Sequence, residues 1–225
     1  MDTVKNLIQK FRFFGKLSND EQAAIIKSSV IKKYSKNQIL HDQNSECLGL
    51  VMVLSGTVRV TMISENGREV NLYKLGVGDV DVLAASCVIH EVTFETSIVA
   101  QQDCEILVIP ASIISNIERE NIYLHSYILE IVADKFSEVM WTMQQIFFKR
   151  IDQRIAIFLL DEYVKNHKNL TIKVTQEELA KDVNSAREVI ARMLKRMSED
   201  GYIELSRGKI TIKDIDGIKK LAITD

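Results

Sequence analysis

Residues 171–196 read TIKVTQEELAKDVNSAREVIARMLKR, and the fold turns on how this stretch is punctuated. Leu179 and Val183 stand four apart, which predicts a short helix over residues 177–183 with one apolar edge. Asn184 follows at a corner. The backbone has to turn left-handed there, and Asn adopts that conformation more readily than most residues with a side chain. Ser185 offers an N-cap, with Glu188 three residues on as its capping-box partner. The second helix carries Val189, Ile190, Met193, Leu194 and Met197 on one face. Its other face carries Arg187, Glu188, Arg192, Lys195 and Arg196. Two short helices around a tight corner make a helix-turn-helix.

The next segment, residues 199–213, reads EDGYIELSRGKITIK. Gly201 ends the second helix. Residues 202–205 and 209–212 are short strands around Ser206-Arg207-Gly208, a hairpin turn. A hairpin directly after the second helix is the wing of a winged helix, with Arg207 and Lys209 at its tip facing phosphates. Arg187 and Arg192 can each grip guanine O6 and N7 with a forked pair of hydrogen bonds, and Glu188 can accept from cytosine N4. Lys195 and Arg196 lie one turn later, where phosphate contact is expected. Ser185 and Thr175, at the starts of the two helices, are grouped with the DNA-facing residues. A charged helix face alone is usually just a solvated surface. The corner, the cap and the wing tip the balance toward DNA.

Residues 175–212 resemble the DNA-binding domain of the Crp/Fnr superfamily. The resemblance rests on Arg187-Glu188-Val189-Ile190-Ala191-Arg192-Met193-Leu194, on Gly201-Tyr202-Ile203 and on Gly208-Lys209. It implies that Arg187, Glu188 and Arg192 are base-reading residues. Val189 departs from the family pattern at a usual Thr, Asn184 stands at a usual corner Gly, and Ala186 at a usual Ser.

The rest of the chain agrees with a regulator of this kind. Its 225 residues are 46% hydrophobic and 27% charged, an ordinary soluble balance with room for two modest domains. No apolar run is long enough for a membrane span. The N-terminal residues have no apolar signal core. Cys47, Cys87 and Cys104 are odd in number and far apart, which suits a reducing cytoplasm better than a disulfide framework. Residues 149–225 hold 16 basic against 13 acidic residues and residues 1–148 hold 13 against 18, so a basic part follows an acidic body.

Residues 2–14 and 18–29 read as helices, the second opened by a Ser18–Glu21 capping box. From Ile31 to Ile109 the period changes to two. Strands are expected at 48–54, 57–63, 69–75, 92–100 and 105–109, with a hairpin at Glu65-Asn66-Gly67 and a turn at Gly76-Val77-Gly78-Asp79. Five of the nine glycines lie between Gly49 and Gly78. Many short strands with glycine turns argue for a barrel or jelly roll. Residues 54–60 (LSGTVRV) and 76–79 (GVGD) resemble the double-stranded β-helix sensor domain of the same superfamily.

The helix from Ile122 onward places Ile122, His125, Leu129, Val132, Phe136, Val139, Met143 and Ile146 at strict 3-4 spacing, a coiled-coil seam broken only by His125. The resemblance implies that this helix is a two-fold dimer interface. A second apolar flank (Ile128, Ile131, Met140, Phe147) fits packing on the chain's own barrel. Residues 152–163 form a helix under the DNA-reading part, with a hinge near 148–152. Residues 170–174 form a strand, and Asp214 caps a last helix.

Cyclic-nucleotide-binding relatives use a Gly-Glu pair after the Gly-Asp turn and an Arg-Ser/Thr pair on the next strand. Here Val82 and Leu83 take the first positions and Phe94 and Glu95 the second. No Lys or Arg occurs between Lys74 and Arg119, so a cyclic phosphate would find no cation there. Cyclic AMP is therefore not the expected effector. Leu83, Cys87, Phe94 and Glu95 line either a more apolar pocket or a filled core. The cysteine cluster of iron–sulfur oxygen sensors is absent, and His41, His90, His125 and His167 are scattered, so no metal or cofactor is expected. Redox sensing through a cysteine is the alternative. A cupin-like enzyme would need clustered His and Glu ligands, and no His-x-His pair occurs.

The expected protein is α+β and not an enzyme. A jelly-roll sensor domain covers residues 1–120, a dimerisation helix 121–148, and a winged helix-turn-helix 149–225. Its partners are palindromic duplex DNA, a second copy of itself and, by resemblance, RNA polymerase. A regulatory ligand-binding protein that does not act on DNA is the other class.

Overall fold

The computed structural model describes residues 2–42, 45, 48–64, 69–82 and 96–223. It divides into two compact units, Met1–Met140 and Trp141–Asp225.

The first unit opens with helix α1 (Asp2–Ile8), a 3-10 turn (Phe14–Lys16) and helix α2 (Asn19–Ser28). The expected helix over residues 2–14 stops at Ile8. Phe11, Phe13 and Phe14 are all buried, and a continuous helix would spread them around its circumference at about 100° per residue. Leaving the helix lets Phe11 and Phe13 both reach the Tyr127 ring. The Ser18 box forms as expected: the Ser18 amide donates to the Glu21 carboxylate (2.6 Å) and the Glu21 amide to the Ser18 hydroxyl (3.3 Å).

Eight strands follow among the described residues: β1 (Val30–Tyr34), β2 (Ile39–His41), β3 (Leu50–Ser55), β4 (Val58–Ile63), β5 (Glu69–Leu75), β6 (Val80–Asp81), β7 (Ser97–Ala100) and β8 (Cys104–Ile109). They pair antiparallel into two sheets, β1-β8-β3-β6 and β2-β7-β4-β5. Their inner faces meet in one core, where Val51, Val53, Ile106 and Val108 oppose Val58, Val60, Tyr73, Leu75 and Ile98. The alternate residues of the first sheet, Leu50, Met52, Leu107 and Ile109, point the other way and pack under the helices. That sheet is covered on both faces, which is why Leu50–Leu54 of β3 and Ile106–Ile109 of β8 read as apolar runs. Each fully buried Leu or Ile contributes about 1.5–3 kcal/mol. Gly49 enters β3 at φ +96°, and a Cβ there would run into the backbone of Ile109 and Ala111. The expected hairpin at 65–67 and most of the expected strand at 92–100 lie outside the described residues.

Helix α3 (Ala111–Glu118) was not expected from the sequence. Its signal is the spacing of Ala111, Ile114 and Ile117, all buried. Helix α4 (Ile122–Phe148) starts where the Asn121 side chain accepts from the Tyr123 and Leu124 amides (3.1 and 3.2 Å). Leu124, Ile128, Ile131 and Lys135 form its buried face.

The eight expected seam residues divide between two environments. Ile122, Leu129 and Phe136 are 55–67% exposed, whereas Val132 and Val139 are partly buried and pack on the roll. His125 turns to Glu118 of its own chain. Met143 and Ile146 are half-buried. The outward apolar stripe runs Ile122, Leu129, Phe136 with Met140 and Phe147, so it is rotated from the expected seam. A 3-4 pattern marks an apolar stripe without saying which of its two edges the chain's own core takes.

The second unit contains α5 (Ile151–Lys165), β9 (Thr171–Lys173), α6 (Gln176–Asp182), α7 (Arg187–Glu199), β10 (Ile203–Ser206), β11 (Lys209–Ile212) and α8 (Ile215–Ile223). Strands β10-β11-β9 form one antiparallel sheet. The break between α4 and α5 falls at Lys149 and Arg150, inside the expected hinge. Asp214 caps α8, accepting from the Gly217 amide (2.8 Å). One core joins Ile155 and Leu159, Leu179 and Val183, Ile190 and Leu194, and Ile203, Ile210 and Ile218.

Candidate nucleic-acid interface

The corner between α6 and α7 is held by backbone geometry. Asn184 has φ +53°. The Ser185 amide donates to the Ala180 carbonyl (2.9 Å) and the Asn184 amide to that of Lys181 (3.4 Å). These are the two bonds of a Schellman motif, with Asn in the place usually held by Gly. Arg154, on α5, donates from one guanidinium nitrogen to the Val183 and Asn184 carbonyls (2.9 and 3.3 Å). A cation thus satisfies the carbonyl end of α6, where the helix dipole favours it. Sequence inspection missed Arg154, because the carbonyls it serves lie about thirty residues away.

Ser185 does not cap α7. The N-cap is Ala186, which has no side-chain hydrogen bond to give. Ser185 is occupied one step earlier, as the last residue of the corner. Its spacing to Glu188 matched a capping box, but the left-handed corner takes up one more residue than that box allows. Helix α7 therefore begins without a side-chain cap, and such an N-terminus is ready for an anion. Thr175 and Glu178 form the box that Ser185 and Glu188 do not. The Thr175 amide donates to the Glu178 carboxylate (3.0 Å) and the Glu178 amide to the Thr175 hydroxyl (3.1 Å).

Ile190, Leu194 and Met197 bury one side of α7. At about 100° per residue, Glu188, Arg192 and Lys195 fall within one stripe opposite that side. All three are exposed. Arg196 lies on one flank of the stripe and Arg187 on the other. Lys195 and Arg196 each reach back to a carboxylate one turn on, Glu199 (3.7 Å) and Asp200 (3.8 Å). These exposed pairs are weak, which leaves both cations available. Arg187 borders a groove of about 550 Å³ whose other walls are Thr175, Gln176 and Glu177 at the start of α6 and Ser206, Arg207 and Lys209 on the wing. The wing turn is Arg207-Gly208, since Ser206 pairs with Lys209. The structure thus brings Arg187, Thr175, Arg207 and Lys209 around one concavity and sets Glu188, Arg192 and Lys195 on the adjoining ridge.

The expected effector residues Leu83, Cys87, Phe94 and Glu95 lie outside the described residues, as do Cys47 and His90. What is described of the roll interior includes buried polar groups beside its apolar core. Tyr73 donates to Asp81 (3.2 Å), a carboxylate with no exposed surface, and Lys135 of α4 lies 5.0 Å from the Tyr73 ring centre. Burial, with the Asp81 charge second, pushes the Tyr73 phenol far above its ordinary value, so it stays protonated. Cys104 is buried, and burial with the Asp103 charge raises its thiol as well.

Residues 153–221 match the model of the Crp-like helix-turn-helix domain, and residues 31–121 that of the cyclic nucleotide-binding domain. The chain is 36% identical to a Crp/Fnr-family protein from Eubacterium rectale, with a TM-score of 0.87 over 94% of this chain and 98% of that one. It is 24% identical over 174 residues to the cyclic AMP receptor protein of Thermus thermophilus, covering 77% of this chain and 79% of the relative. To the transcriptional regulator SdrP of the same organism it is 29% identical over 96 residues, 40% of this chain and 48% of the other. Among the described residues no helix is long and apolar enough to cross a membrane.

Proposed function

The chain belongs to the Crp/Fnr family of transcription regulators and carries its helix-turn-helix DNA-binding domain, and from that premise we propose that it acts as a homodimer on a palindromic site. The observation that carries the proposal is the α7 ridge of Glu188, Arg192 and Lys195 beside the cationic groove between Arg187 and the wing. The ridge offers an acceptor in Glu188 and a forked donor in Arg192, the two kinds of group that read base edges. The groove and the uncapped start of α7 suit phosphates. Two copies related by a two-fold axis would place their α7 helices in successive major grooves about 34 Å apart. The exposed Ile122, Leu129, Phe136 and Met140 on α4 support that pairing, because they offer water a continuous apolar stripe. A bound dimer then presents a surface to RNA polymerase.

The effector is something other than cyclic AMP. No cation lies between Lys74 and Arg119, and buried Val82 stands where a cyclic-nucleotide binder has Gly. Redox control through a cysteine remains the second reading. Burial weighs against Cys104 as the sensing thiol, since the thiolate is the reactive form.

Selection from a random duplex pool tests all of this, with protein prepared under reductant and after mild oxidation. A two-fold site of G·C-containing half-sites supports both the dimer and the ridge. Enrichment of a single unpaired half-site rejects the dimer. Enrichment under one redox condition alone moves control to the cysteines.

A further inference from the structure

Glu188 and Arg192 point where the corner before α7 aims them. That corner has a weak point and a support. The weak point is Asn184, held left-handed at φ +53°, a conformation that strains a residue with a Cβ. The support is Arg154, near the start of α5, whose one guanidinium nitrogen donates to both the Val183 and the Asn184 carbonyl (2.9 and 3.3 Å). The last carbonyls of a helix have no partner within it, so these two bonds close the end of α6.

The arginine is committed to this task. Burial is the single influence that shifts its guanidinium, downward, and no neighbouring carboxylate offsets it among the described residues. Its Nε is shut from solvent without a hydrogen-bond partner. The desolvation of the cation is offset by the two carbonyls rather than by an ion pair. Its anchorage is stiff, because Ile155 and Leu159 of the same helix have no exposed surface and share a core with Val183.

The corner also has leverage. Arg192 stands eight residues beyond Asn184, about 12 Å along a helix axis, so a tilt of about 10° moves it by about 2 Å. A forked hydrogen bond to a base edge does not survive such a displacement, whereas a lysine on a flexible stem follows a phosphate. We propose that Arg154 is a positioning residue for base reading: by clamping the Val183 and Asn184 carbonyls it fixes the angle at which α7 meets the duplex, and so sets discrimination between sequences rather than affinity for DNA as such. This rests on the DNA-reading function proposed above.

The test compares binding of the full chain to its selected site and to a scrambled duplex of the same length, well below the unfolding midpoint. Arg154→Met should weaken the selected site about tenfold and leave the scrambled duplex within about twofold, with its salt dependence unchanged, since no phosphate contact is lost. Arg154→Gln keeps a donor for one carbonyl and should lose about threefold; it carries the test if Arg154→Met does not fold. Arg154→Lys, which can serve both carbonyls, should recover most of the discrimination. Hydrogen exchange at the Ser185 amide, which donates to the Ala180 carbonyl (2.9 Å), reads the corner without DNA. In Arg154→Met it should quicken about tenfold, while the Glu178 amide at the other end of α6 keeps its rate. Equal weakening on both duplexes, undiminished discrimination in the folded variants, or unchanged exchange at Ser185 would overturn the assignment. An unsubstituted chain that prefers no site would instead reject the DNA reading, and the Ser185 exchange would still decide whether Arg154 holds the corner.

Discussion

In the DNA-binding unit the working charges stand in water, with Arg187, Glu188, Arg192 and Lys195 all exposed. In the first unit Arg59, Asp81 and Lys135 are at least nine-tenths buried. The first arrangement is cheap. Exposed charges lose little on folding, and their energy is realised only when a polyanion arrives. The second is costly, and each buried charge needs a partner. Lys135 has Glu138 at 2.8 Å and the Tyr73 ring beneath it, and Asp81 has the Tyr73 hydroxyl. A surface built to bind can thus be altered with little loss of stability, whereas removing one partner of a buried polar pair in the roll leaves the other uncompensated.

The sharpest way to break this contrast is Leu194→Ala, which empties a fully buried site behind the α7 ridge. It should cost about 2–5 kcal/mol of stability in the DNA-binding unit. The transition of the first unit should stay in place in calorimetry. A shared shift would mean that the two units do not unfold independently.

Arg192→Ala, on the ridge itself, should reduce affinity for the selected site by about 1–3 kcal/mol and relax one base position. Its melting temperature should hardly move. Equal weakening on every sequence would make Arg192 a phosphate contact instead.

Tyr73→Phe examines the buried side. The folded roll holds the Tyr73 proton well beyond the free-tyrosine value of about 10. Stability from this proton is therefore fully present below pH of about 10 and is lost as pH rises further, when the unfolded chain releases its proton and the folded chain cannot. Tyr73→Phe should cost about 1 kcal/mol near neutrality through the lost bond to Asp81. It should also flatten the alkaline fall in the midpoint. An unchanged alkaline slope would assign that fall to other groups.

The smallest effect expected is from Ala186→Asp. A side-chain cap on α7 should stabilise the free protein by about 0.5–1 kcal/mol. The same carboxylate would face a phosphate and weaken DNA binding at low salt more than at high salt. A gain in both stability and affinity would place the start of α7 away from the DNA backbone.

Much of the interface is legible from local pattern. The apolar spacing of Ile190, Leu194 and Met197 identifies which side of α7 is buried, and so identifies its opposite. Asn184 and Gly201 mark ends that take φ +53° and +82°. These features depend on residues within about one turn of each other. The Ser185 cap fails for the same locality: two motifs compete for one residue, and the Schellman corner takes it. Arg154 is invisible to pattern because its acceptors are brought to it only by folding.

The sequence by itself determined the helix-turn-helix with its wing. Hydrophobic period, turn residues and charge placement are short-range properties that survive without coordinates. Tertiary structure alone decided which edge of the α4 stripe remains in water, since both edges are apolar and only packing on the roll takes up Val132 and Val139. It also decided the fate of Arg59. In sequence that residue is one polar position in an alternating strand, and its burial, with Nε shut from solvent, follows from the sheet around it rather than from its neighbours in the chain.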